Sequence, residues 1–242
     1  MESGDKTEKT DNHEVDSIAQ QYARRKITVE PDRYDPTKPS VYLPQQERHR
    51  ALIRLIKKYL QCAVADCRVI EVGCGTGGNL LELLQLGFST RNIVANELLD
   101  ERLNVARERL PEGITLIGGD ARKLGIKKES FDIVMQSTVF SSILDENVQE
   151  ELAQKMWQWV VPGGGVLWYD FTYNNPTNPD VRGVKIKRIR ELFPEGNMII
   201  KHVTLAPPIS RRVCQLHPNM YHIFNAVPLL RTHVLCWIGK RS

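Results

Sequence analysis

From Gln46 onward, apolar residues recur with two alternating spacings. Leu52, Ile53, Ile56, Tyr59 and Leu60 follow the period of a helix with one buried face, and Arg68 to Val72 is a short β-branched run closed by glycines, the pattern of a buried strand. Further strands are predicted at Asn92 to Glu97, Ile114 to Ile117, Phe131 to Gln136 and Gly165 to Phe171. Helices are predicted between them at Leu80 to Leu86, Glu101 to Leu110 and Asn147 to Val160. Such alternation predicts an α/β fold with a largely parallel sheet covered on both faces, and ligands at the carboxyl ends of its strands. After Phe171 the pattern changes to an Asn/Pro-rich loop, a basic helix near Val184 to Phe193 and a strand near Met198 to Leu205. A last alternating run, Thr232 to Ile238, reads as an antiparallel strand.

Ahead of this region, residues 17–45 combine a short helical pattern around Ile18 and Tyr22 with Pro31, Pro36, Pro39 and Pro44. Prolines remove backbone donors and bias their predecessors to extended conformations, so this stretch is expected to wrap a surface without adding a strand. Residues 1–16 read as a solvated, disordered tail.

At 242 residues the chain fits one large α/β domain, and 26% charged with 41% hydrophobic residues is the composition of an ordinary globular protein. No apolar run approaches the ~20 residues that span a bilayer, and the N-terminus lacks a signal-type apolar stretch, which together predict a cytoplasmic protein. Five cysteines without a close Cys-x-x-Cys pair argue against a disulfide framework and against a zinc site. A net charge of +4 does not identify a nucleic-acid partner. Locally, Arg182, Lys185, Lys187, Arg188 and Arg190 crowd one segment, and Arg211 and Arg212 follow. They are either a solvated face or a grip for an anion.

The chemistry concentrates in VIEVGCGTGG, Val69 to Gly78, between a strand and a helix. Gly73, Gly75 and Gly77 let the backbone turn tightly and bring its amides to a ligand. Gly73, Gly75 and Gly78 also spell the GxGxxG of nicotinamide and flavin enzymes, so this turn alone leaves the cofactor open. Glu97 ends the second strand about 20 residues beyond Gly75, where a carboxylate can accept both ribose hydroxyls. Asp120, in GGDA after the third strand, can accept from an adenine amino group.

With Glu71 two residues ahead of Gly73, the turn has the ExGxGxG form of class I S-adenosylmethionine-dependent methyltransferases, which the chain from Gln46 to Ser242 resembles. VIEVGCGTGG, NIVANEL, ITLIGGDA and FDIVMQST occur in the family's order, and VVPGGGVLWYDF resembles its turn into the fifth strand. The resemblance implies a Rossmann-like seven-stranded sheet of order 3-2-1-4-5-7-6 with the last strand antiparallel, S-adenosylmethionine as cofactor and S-adenosylhomocysteine as product. It implies that Glu71, Gly73, Gly75 and Gly77 border the methionine moiety, Glu97 and Leu98 the ribose, and Gly119, Asp120 and Ala121 the adenine. Gln136, Ser137 and Thr138 would lie where donor meets acceptor. No metal is implied.

A narrower resemblance, carried by WYDFTYNNPTNPDVRGV, VTLAPPISRR and PLLRTHVL, is to a subgroup found among bacterial cell-surface glycan and polysaccharide biosynthesis enzymes. It implies transfer to a hydroxyl of a small-molecule or glycan acceptor. Asp170 is then the first candidate base, with His202, His222 and His233 behind it. Asn174, Asn175, Arg182 and Arg211 are candidate acceptor contacts, in insertions at 172–197 and 207–231. Tyr22, Arg24, Arg25, Tyr34 and Tyr42 would belong to a lid over the acceptor, formed by residues 17–45 ahead of a methyltransferase domain at 46–242. The rival readings are a natural-product or other small-metabolite methyltransferase, an RNA methyltransferase, a nicotinamide oxidoreductase and a non-catalytic partner that binds S-adenosylmethionine.

Overall fold

A computed structural model describes residues 17–24, 32–175 and 178–242. The disordered tail expected at 1–16, and the part of the 17–45 lid that includes Arg25, lie outside the described residues. Seven strands form one sheet: β1 (Val69–Val72), β2 (Ile93–Glu97), β3 (Thr115–Gly118), β4 (Phe131–Ser137), β5 (Val160–Phe171), β6 (Asn197–Leu205) and β7 (Arg231–Gly239). Their order is β3-β2-β1-β4-β5-β7-β6, as expected. Strands β1 to β5 pair in parallel, and β7 is antiparallel to both β5 and β6. The carboxyl ends of β1 to β6 and the start of β7 therefore share one edge.

Residues 17–24 are helical (α1). The remaining helices are α2 (Pro39–Tyr59), α3 (Gly78–Gln85), α4 (Asp100–Arg109), α5 (Glu146–Trp159), α6 (Ile186–Leu192), α7 (Pro207–Leu216) and α8 (Met220–Asn225). Helix α2 begins at Pro39, inside the proline-rich stretch and ahead of the helix expected from Gln46 onward. Pro39 occupies the first helical turn, where its missing N–H is no loss. Pro44 lies inside the helix and deprives the Ser40 carbonyl of its usual donor; Ser210 Oγ donates to that carbonyl instead, at 3.4 Å. Asp145 caps α5, accepting from the amides of Asn147 (2.7 Å) and Val148 (3.3 Å).

The sheet separates two cores. On one face α5 and α6 cover Val72, Val134, Trp168 and Val234; Phe140 tilts against Trp168 at 4.5 Å between centroids. On the other, α2 and α3 cover Val69, Ile93, Met135, Leu167 and Trp237. Burying each such side chain contributes about 1.5–3 kcal/mol. A smaller cluster of Leu43, Leu205, Val213, Cys214 and Tyr221 anchors α7 and α8 to α2 and β6.

Cys62 and Cys67 are joined as a disulfide with Cα atoms 5.9 Å apart, a single bridge where the cysteine pattern argued against a disulfide framework. The loop between α2 and β1 folds back on itself and brings together two thiols that no Cys-x-x-Cys spacing flagged. Among the described residues, no helix is long and apolar enough to cross a membrane.

Candidate functional site

The turn after β1 is built by three glycines in the left-handed region: Gly73 (φ 65°), Gly75 (60°) and Gly77 (82°). A Cβ on Gly73 would come within 2.5 Å of Val139, and one on Gly75 would strike the Arg102 guanidinium. Gly75 N donates to Glu97 Oε2 at 2.7 Å, tying this turn to the end of β2. Glu97 Oε1 accepts from Leu99 N at 3.0 Å, and Arg102 Nε approaches Oε2 at 3.7 Å. The Arg102 guanidinium lies 4.5 Å from the centre of the Tyr22 ring. Tyr22 and Ile18 thereby close one side of a cleft of about 120 Å³, whose other walls include Gly73, Asn96, Glu97, Leu98, Asp120, Ala121, Ser137, Thr138 and Val139.

Of the residues expected to border a cofactor, Gly73, Glu97, Leu98, Asp120, Ala121 and Ser137 line this cleft, and Tyr22 and Thr138 join them. Glu71 lies behind the glycine turn, fully buried. Asn79 Nδ2 donates to its Oε1 at 2.6 Å, while its Oε2 has no hydrogen-bond partner among the described residues. Burial pushes the Glu71 carboxyl up to about 7, outweighing the Asn79 hydrogen bond and Arg48. Gln136 is buried beneath the cleft, its Nε2 donating to the Tyr169 carbonyl (3.3 Å) and its Oε1 accepting from Val139 N (3.0 Å). It thus shapes the turn after β4, where Thr138 adopts a positive φ of 57°.

Asp120 carries a second task that its motif does not reveal. It caps the turn Ala121–Lys123 through Arg122 N (2.9 Å) and holds the Arg122 guanidinium at 2.6 Å; that guanidinium also reaches Glu151 at 2.8 Å. The Arg122 side chain is only 6% exposed. Asp120→Ala is therefore expected to lower stability by about 1–3 kcal/mol as well as weaken a ligand. Denaturant unfolding checks this, and an unchanged midpoint would mean that Arg122 finds full compensation.

Asp170 does not line the cleft. It lies on the α5 face of β5, fully buried, accepting from the amides of Ser141 (3.1 Å) and Phe171 (2.9 Å), and burial lifts its carboxyl to about 7. With both oxygens holding backbone, the carboxyl expected as base braces the turn Phe140–Ser142 and lies behind the cleft instead of on its wall. The basic segment is likewise engaged structurally. Arg182 donates to the Leu144 carbonyl (2.8 Å) beside Glu146, and Arg188 binds Glu150 (2.9 Å) on α5. Asn175 and Tyr34 are exposed away from the cleft walls, and Arg211 lies near Arg33 and Tyr34.

A polar cluster, of which the sequence reading named only His233, occupies the α2 face at the carboxyl ends of β5 and β6 and the start of β7. Arg48 of α2 lies 5.2 Å from the Tyr169 ring centre and donates to Glu82 at 2.8 Å. Tyr169 stacks on His233 (5.3 Å, 17°), and its hydroxyl pairs with Thr204 Oγ1 at 3.0 Å. Glu47 accepts from Thr204 N (3.0 Å) and Tyr221 OH (2.7 Å). Burial, and then Arg48, lowers the His233 pKa to about 4, so its imidazole is neutral at pH 7. Thr138, on the neighbouring strand end, donates its amide to the Tyr169 carbonyl at 2.8 Å, joining this cluster to the cleft. Among the described residues, no group of three or more His, Cys, Asp or Glu side chains is arranged to hold a metal.

Residues 69–164 match the methyltransferase domain family. An uncharacterized methyltransferase of Bacillus cytotoxicus is 31% identical over 102 residues, 42% of this chain and 46% of that protein. The chain spans less than half the length of the curated relatives it matches. Among solved structures, a protein of Pyrococcus horikoshii superposes with a TM-score of 0.61 at 15% identity, over 88% of this chain and 97% of its own. Phosphoethanolamine N-methyltransferase 2 of Haemonchus contortus, in complex with S-adenosyl-L-methionine, superposes with a TM-score of 0.56 at 16% identity, over 80% of this chain and 52% of its own.

Proposed function

We propose that this chain, with its methyltransferase-domain match over residues 69–164, is an S-adenosylmethionine-dependent methyltransferase. The observation that carries the reading is the left-handed glycine turn fastened by the Gly75 amide to Glu97, at the carboxyl ends of β1 and β2. The residues present fit that cofactor. Gly73 and Gly75 offer backbone where a side chain would fill space, and Glu97 Oε1 keeps acceptor capacity for a ribose hydroxyl. Buried Glu71 Oε2 lacks a partner that a cationic amino group would supply. In this reading Gly73, Gly75 and Gly77 border the methionine moiety, Glu97 and Leu98 the ribose, and Gly119, Asp120 and Ala121 the adenine.

Bound S-adenosylmethionine supplies an electrophilic methyl on a sulfonium. The chain's task is positioning, worth about 7–11 kcal/mol when reacting atoms are held in line. Ser137 and Thr138 border the methyl, and α1 forms a lid whose Arg24 is fastened to Asp180 at 2.6 Å. The finer reading, transfer to a hydroxyl of a small-molecule or glycan acceptor, is supported by the hydroxyl-bearing Ser137 and Thr138 on the cleft wall, with Thr138 joined through its amide to the polar cluster of Tyr169, Arg48 and His233.

Calorimetry with S-adenosylmethionine, S-adenosylhomocysteine and NAD tests the cofactor, with binding expected for the first two alone. Preferential NAD binding would overturn the proposal in favour of an oxidoreductase. Incubation with acceptor panels, read by mass spectrometry for a methyl gain, separates an enzyme from a non-catalytic binding partner.

A further inference from the structure

The connection between β6 and β7 is much longer than a hairpin needs. It carries α7, α8 and the turn Pro228–Leu230. Because β6 runs parallel to β5, this connection emerges at the carboxyl edge of the sheet, beside Tyr169 and His233. It displays Leu216 (79% exposed), Ile223 (62%), Val227 (45%) and Leu229 (84%), half of the large apolar side chains that are exposed among the described residues. Monomeric proteins rarely concentrate apolar exposure in this way without a partner.

The display is built on an anchored platform. Val213, Cys214 and Tyr221 pack on Leu43 and Leu205, Glu47 accepts from Tyr221, and Arg231 Nε donates to the Asn225 carbonyl at 2.8 Å. The apolar tips are thus held outward by a packed underside.

Charge identifies what covers them. From Gly196 to Ser242 the sequence contains no aspartate or glutamate, whereas Lys201, Arg211, Arg212, Arg231, Lys240 and Arg241 are all basic. Arg212, His217 and His222 are exposed on the connection itself. The exposed apolar residues are aliphatic, which suits a lipid interface; single-stranded nucleic acids are gripped by stacking on aromatic side chains.

We propose that the α7–α8 connection is a membrane-attachment surface. Leu216, Ile223, Val227 and Leu229 enter the boundary between headgroups and acyl chains of an anionic bilayer, and Arg211, Arg212 and Arg231 meet the negative headgroups. The surface stands independently of the catalytic reading.

Sedimentation of the full chain with vesicles tests this. Vesicles of phosphatidylcholine with about a quarter phosphatidylglycerol are expected to pellet the protein, phosphatidylcholine alone to do so far less, and high salt to release it. The double variant Ile223→Glu with Leu229→Glu should bind anionic vesicles at least about tenfold more weakly, with unchanged circular dichroism and cofactor affinity. Arg212→Glu should weaken binding to anionic vesicles only. Absence of pelleting, or pelleting indifferent to Ile223 and Leu229, would overturn the proposal. So would light scattering that showed the wild type self-associating through this face and the double variant monomeric. Cofactor calorimetry reports on the catalytic reading alone, so failure of one leaves the other standing.

Discussion

Gly75→Val is expected to weaken S-adenosylmethionine binding by at least about 100-fold, or about 2.7 kcal/mol, in a chain that still folds. Gly75 has a φ of 60°, a conformation that β-branched residues rarely adopt. The added Cβ also strikes the Arg102 guanidinium, which would have to leave Tyr22 and Glu97. The turn can relieve this only by shifting the Gly75 amide off Glu97 Oε2, so one substitution disturbs the proposed methionine and ribose contacts together. Gly125→Ala, where a Cβ meets open space, is the control and should bind normally. Calorimetry on both variants, with circular dichroism to verify folding, decides the matter. Affinity within threefold of wild type for Gly75→Val would separate the glycine turn from the cofactor.

Glu71→Gln is expected to stabilise the protein above pH 7 and to have little effect near pH 5. The Glu71 carboxyl is raised from 4.5 to about 7 by burial. Between those values the folded protein holds a proton that the unfolded chain releases, so stability falls as pH rises through this window. The loss, on the order of 3 kcal/mol, is complete above pH 7. Asp170, raised from 3.8 to about 7, acts with the same sign. Glutamine keeps the oxygen that accepts from Asn79 and cannot ionise, which removes the Glu71 share. Thermal denaturation without ligand should give a melting temperature several degrees above wild type at pH 8 and a much smaller difference at pH 5. A lower melting temperature at pH 8 would show that the carboxylate is stabilised by its surroundings instead.

Much of the framework was legible because it is local. The β-branched run before Gly73, the glycine turn, Glu97 at the end of β2 and Asp120 after β3 each declare themselves within a few residues, and all of these elements form at the expected positions. What the pattern left open was which face each residue serves. Strands β1, β4 and β5 are buried on both sides, so their apolar runs do not alternate, and nothing local distinguishes Tyr169 on the α2 face from Asp170 on the α5 face. The choice of Asp170 as candidate base rested on its strand position alone for that reason. The start of α2 at Pro39 was hidden differently: the donor that offsets the gap at Pro44 comes from Ser210, far along the chain.

The sequence by itself determined the alternation of helices and strands, the glycine turn and the carboxylates at the strand ends, because hydrophobic period and backbone freedom act over a few residues. Only the tertiary structure decided that Asp120 is shared with Arg122, and that Arg48, Tyr169, Thr204 and His233 meet at one sheet edge. It also decided that Leu216, Ile223, Val227 and Leu229 face outward over a packed underside. Hydrogen bonding, desolvation and charge pairing depend on distances across the fold, and those distances exist only once strands separated in sequence lie side by side.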